Sequence, residues 1–127
     1  MAYLSEKLEQ LGQAINKWKE SLDAEFSELN RDAAIQRFEF TFELFWKTVK
    51  IYLKEMEKIE CYSPKSCFRE ARKPFRLEID EIETCLKMAD DRNFSVHTYS
   101  EKMANALYRK LKKYWKITNK IYRKMSR

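Results

Sequence analysis

The sequence predicts an all-α protein: an antiparallel up-and-down four-helix bundle with a broken third helix. Three observations lead there. Apolar residues recur at steps of three and four through most of the chain. One glycine and two prolines leave little material for hairpin turns. The stretches between the periodic segments are short, which sets neighbouring helices antiparallel. At 127 residues, with 44% hydrophobic and 36% charged content, residues 1–127 suit a single domain with one core.

The first helix carries Leu4, Leu8, Leu11, Ile15, Trp18, Leu22 and Phe26 as one apolar stripe. Gly12 weakens it locally without ending it. Asn30 is a cap for the second helix, with Asp32 in the first turn, where a negative charge suits the dipole. The run FEFTFELFWKTVKIYL alternates briefly like a strand, but Phe38, Phe42, Phe45, Val49, Tyr52 and Met56 hold helical spacing from Arg31 to about Lys58. A second apolar set, Phe40, Leu44, Trp46 and Ile51, exceeds what one core face uses. It predicts a homodimer interface.

Ser63-Pro64 is a helix start, with Ser as N-cap and Pro at the first helical position. That helix should stop near Pro74. The next should span about Arg76 to Ala89, with Leu77, Ile79, Ile82, Leu86 and Met88 apolar. Thr98 and Glu101 have capping-box spacing. They precede a last helix from about Ser100 to Lys124, with Met103, Leu107, Leu111, Tyr114, Thr118, Ile121 and Met125 inward.

Cys61, Cys67 and Cys85 match no zinc spacing and cannot all pair within one chain, so free thiols in a reducing cytoplasm are expected. The start, MAYLSEKLEQ, carries charges where a signal peptide needs an apolar stretch. No run approaches the roughly 20 apolar residues of a membrane span. A soluble, cytoplasmic protein is expected, with no metal and no cofactor. The net charge of +6 is uneven. Residues 101–127 hold ten Lys/Arg and one acid, whereas residues 1–100 hold sixteen basic and nineteen acidic groups. Arg109, Lys112, Lys113, Lys116 and Lys120 of the last helix thus form a candidate face for RNA or another anion.

The stretch DDRNFSVHTYSE holds the only histidine. On a continuous helix Arg92 and His97 would point about 140° apart. They converge only if the helix breaks between them, and Asn93 and Ser95 favour a break. With residues 97–99 extended, His97 and Tyr99 share a side, next to a helix start that attracts anions. A guanidinium, an imidazole and a phenol there suit a phosphate. An imidazole near neutral pKa can move the protons of RNA self-cleavage, and an arginine can offset the developing charge.

RNFSVHTY is an Arg-x4-His-x-Tyr motif that resembles the signature of the HEPN superfamily. With RDAAIQRFEFTFELFWKTVKIYL, SPKSCFREA, DDRN and HTYSE in order, the chain resembles nucleotidyltransferase substrate-binding proteins over nearly its whole length. The resemblance implies a homodimeric four-helix bundle paired with a separate minimal nucleotidyltransferase. It implies either a non-catalytic subunit that presents the substrate or a metal-independent ribonuclease toxin, silenced when its partner attaches AMP to the motif tyrosine. Carried over, Arg92 and His97 would be catalytic, Tyr99 the modification acceptor, and Asn93 the supporting polar residue. The family tends to have glycine where this chain reads EMEKIECY, and an apolar, glycine-containing stretch where it reads RKPFRL. A third reading, a helical adaptor whose Arg92 and His97 fasten a loop, needs neither partner nor RNA.

Overall fold

The computed structural model describes residues 2–95 and 100–127. Among them the chain is all-helical: α1 (Ala2–Asp23), α2 (Glu28–Glu57), α3 (Pro64–Phe75), α4 (Ile79–Ser95) and α5 (Glu101–Met125). None of these helices is long and apolar enough to cross a membrane.

The apolar stripes meet in one core. Leu11, Ile15 and Trp18 of α1 face Phe38, Phe42, Phe45 and Val49 of α2, all buried. Trp18 lies 5.8 Å from Phe38, and Thr41 donates to the carbonyl of Ala14, so α1 and α2 run antiparallel. α5 lies parallel to α2, with Tyr114 stacked on Phe38 at 5.8 Å. It runs antiparallel to α1, where the Trp115 indole donates to the carbonyl of Ile15. At this seam Gly12 is required by close approach: a Cβ there would stand 2.5 Å from the Tyr122 hydroxyl.

The third element is broken into two helices, and these fold back on one another. Lys65, in the first turn of α3, reaches Asp90 near the end of α4 at 2.6 Å. Both ends of the turn are explained locally. Pro74 sits in the last turn of α3, and Arg76 closes it with φ 52°, its N–H bonded to the carbonyl of Lys73. Glu78, just before α4, donates its N–H to the Glu81 carboxylate at 2.8 Å. α3 runs alongside α2, since Phe68 packs on Phe42 and Phe45, and Phe75 on Tyr52.

Several expectations are corrected. The N-cap of α2 is Ser27, whose side chain accepts from the Asn30 N–H; Asn30 turns its amide back to the carbonyl of Glu25. α1 ends at Asp23, so Phe26 leaves the stripe and lies exposed against the edge of Tyr108. The N-cap of α5 is Ser100, accepting from Met103 at 3.1 Å. Thr98 lies outside the described residues. Met103 is exposed, whereas Leu107, Leu111, Tyr114, Thr118, Ile121 and Met125 are buried as expected.

Cys61 and Cys67 are not free thiols but a disulfide, with Cα atoms 5.1 Å apart. The reason is the helix start between them. Ser63 is the N-cap, so Cys67 is the fourth helical residue and Cys61 lies two before the cap. The chain bends at such a start and brings residues just outside it against the end of the first turn. Cys85 is free and buried, and burial pushes its thiol up to about 12.

Candidate functional site

Three consecutive residues of α4, in the stretch DDRN, are each fastened to a different helix. Asp90 pairs with Lys65 of α3. Asp91 accepts from the Tyr114 hydroxyl at 2.5 Å and from Lys110 at 3.3 Å, both on α5. Arg92 lies between Glu39 and Glu43 of α2, at 3.8 and 3.7 Å. Successive helical positions point about 100° apart, so these three neighbours reach three different surrounding helices. Burial, then the bond to Asp91, raises the Tyr114 phenol well above its ordinary value.

The far side of the motif is fastened as well. Arg31, only 3% exposed in the first turn of α2, grips both oxygens of Glu101 at 2.5 and 3.3 Å. It also donates to Asn105 and Asp32. A buried guanidinium is tolerated only with its donors engaged, and a bidentate carboxylate does this best. The hydrogen bond from Arg31 holds the Glu101 carboxyl below its usual value. Glu101 is the first residue of α5, so the described residues on both sides of 96–99 are anchored.

The motif residues fall unevenly within this frame. α4 does not break at Asn93 but continues to Ser95, so Arg92 and exposed Asn93 sit near its C-terminal end. His97 and Tyr99 lie outside the described residues. Among the described residues Arg92 faces two carboxylates, Glu39 and Glu43. This surround does not favour a bare phosphate. Sequence reasoning missed Glu39 and Glu43 as partners of Arg92. Their spacing carried a signal: like charges four apart on a helix repel unless a cation lies between them.

Arg109, Lys112, Lys113 and Lys116 are exposed on the face of α5 opposite its buried residues. Lys120 shares that face but is paired with Glu81 of α4. Among the described residues no cluster of His, Cys, Asp or Glu could hold a metal ion.

Comparison with known proteins places the chain. Residues 2–127 match the family described as nucleotidyltransferase substrate binding protein like. The chain belongs to this family. A crystal structure of a protein from Thermus thermophilus has the same fold as this nucleotidyltransferase substrate binding protein-like chain, with a TM-score of 0.87 and 42% identity over 92% of this chain and 99% of that one. No functionally curated protein matches it. Placement in the HEPN superfamily is consistent with the family. Both anchored flanks fall in blocks that carry the resemblance: RDAAIQRF contributes Arg31, DDRN the three-way tie, and HTYSE the carboxylate of Glu101.

Proposed function

We propose that this chain is the partner subunit of a separate minimal nucleotidyltransferase and presents the 92–99 segment to it, with Tyr99 as the acceptor of AMP. The observation that carries this reading is the pair of anchored ends. A short segment spanning two fixed helix ends pays little ordering entropy when a second protein engages it. In the transfer, the Tyr99 oxygen attacks the α-phosphorus of ATP. The bond to the bridging oxygen breaks, pyrophosphate leaves and the phenolic proton passes to solvent. α1, α2, α4 and α5 alternate in direction and form the up-and-down bundle of this reading, with α3 added beside α2. The outward set on α2 is its homodimer interface: Phe40 is 60% exposed, and Leu44 is half-buried at the same groove.

Mass spectrometry after incubation with the partner enzyme and ATP tests the assignment. The wild-type chain should gain the mass of one AMP, and Tyr99→Phe should not. An adduct on Tyr99→Phe protein removes Tyr99 as acceptor, and failure of the two proteins to associate removes the partnership.

The second reading is a metal-independent ribonuclease. Arg92 would hold the scissile phosphate and His97 would move protons while the 2′-oxygen attacks, leaving a cyclic phosphate and a free 5′-hydroxyl. The outward basic face of α5 favours it, and the carboxylates beside Arg92 oppose it, since a phosphate must displace Glu39 and Glu43. Expression of the chain alone separates the two readings. A ribonuclease should arrest growth, with relief by His97→Ala, whereas a presenting subunit should be harmless.

A further inference from the structure

The seam between α1 and α5 carries a row of aromatic rings. Tyr108, Trp115 and Tyr122 lie seven residues apart on α5, and each is half-buried. Seven residues advance the helix by about 10.5 Å and return to nearly the same side. Trp115 is the best fixed. Its indole N–H donates to the carbonyl of Ile15 at 3.0 Å, which sets the plane of the ring. One face of the ring is covered by the Lys19 ammonium, which stands 5.4 Å from the ring centroid. Lys19, Leu22, Asp23, Lys112, Trp115 and Lys116 line a groove of about 290 Å³ there. Lys112 and Lys116 are one turn apart and exposed, and Lys19 is paired with Asp23 at 2.7 Å.

We propose that this seam binds single-stranded nucleic acid, with a base stacking on Trp115 and backbone phosphates held by Lys112, Lys116 and Lys19. A fixed ring beside lysines one turn apart matches a polymer that alternates flat bases with charged phosphates. An incoming phosphate replaces Asp23 as the counterion of Lys19, and the base takes the ring face that the ammonium now covers. An acidic peptide would use the lysines and leave the rings idle. A duplex keeps its base faces stacked internally and offers none to Trp115. The inference goes beyond the partner reading, since neither Arg92 nor residues 96–99 take part, and it requires no cleavage.

Fluorescence anisotropy with a labelled oligouridylate tests it on the full chain. Wild-type affinity should fall steeply with salt, with a logarithmic slope near −0.7 for each phosphate neutralised. Lys112→Glu with Lys116→Glu should weaken binding by about tenfold or more and flatten that slope. Trp115→Leu should weaken it about tenfold, and Trp115→Phe should retain most of it, because a ring face survives. Lys87→Glu, on exposed α4 surface, should bind as wild type. The proposal is overturned if the wild type does not bind at low salt. It is also overturned if duplex or polyglutamate competes as well as the single strand, or if folded Trp115→Leu binds unchanged. Should Trp115→Leu lose its helical circular dichroism, the double lysine variant and the duplex competition decide.

Discussion

Arg31 is a buried charge whose cost is met by three neighbours, and it gives the clearest pH prediction. The guanidinium stays charged throughout, its own pKa raised further by the bonds to Glu101 and Asp32. The titrating partner is Glu101, whose folded carboxyl lies below its ordinary 4.5. Its stabilising contribution is therefore fully present above 4.5 and is lost as pH falls through the lower folded value. Glu81, lowered chiefly by its bond from Lys120, adds a contribution of the same sign. Glu101→Gln should thus lower the thermal midpoint at neutral pH and flatten its decline in acid. An acid limb as steep as wild type would mean that Glu101 and Arg31 are not coupled. The sequence did not expose this pair, because Asp32 beside Arg31 and the capping-box spacing of Glu101 each had a sufficient local explanation.

Among the elements, two helices end on left-handed residues that are not glycine: Lys58 closes α2 at φ 58° and Arg76 closes α3 at φ 52°. A side chain in that region costs roughly 1 kcal/mol, which glycine avoids. Arg76→Gly should therefore stabilise the chain by about 1 kcal/mol in denaturant unfolding, since Arg76 is exposed. A loss of stability would show that its side chain does something more. Lys58 falls within EMEKIECY, where the resemblance implies a glycine, and its left-handed φ is the conformation that a glycine would adopt without cost. Element starts were legible where the signal was local: Ser63-Pro64 opened α3 as read. They were misread where two polar residues competed, as Ser27 and Asn30 did. The disulfide was hidden because spacing in sequence says nothing of the bend that a helix start imposes between Cys61 and Cys67. The continuation of α4 past Asn93 reflects tertiary ties: Asp90, Asp91 and Arg92 hold that turn against three helices, outweighing the weak helix propensity of Asn and Ser.

For the molecule as a whole, periodicity fixed which faces turn inward, and helix class followed from it. It could not fix how the third segment was placed, because a turn at 76–78 permits either a kinked rod or a hairpin, and tertiary contacts such as Lys65 meeting Asp90 distinguish them. The outward apolar set of α2 belongs to this scale. Phe40 lies in a groove with Gln10, Gln13, Lys17, Arg37 and Leu44, of about 360 Å³. If this face joins two copies, Phe40→Glu should convert a dimer into a monomer in light scattering without loss of helicity, because Phe40 is outside the core. A wild-type monomer, or a dimer that survives Phe40→Glu, would put the interface elsewhere.

The groups that grip Arg31 stand 70 and 74 positions further along the chain. During synthesis the N-terminal portion emerges first. A nascent chain ending before Glu101 holds a guanidinium destined for the interior with Asp32 beside it and the remaining acceptors not yet made. The α1–α2 hairpin can pair early, but that corner stays hydrated and unlatched. Delivery of the final helix then completes the interior and steadies both ends of the motif in one event.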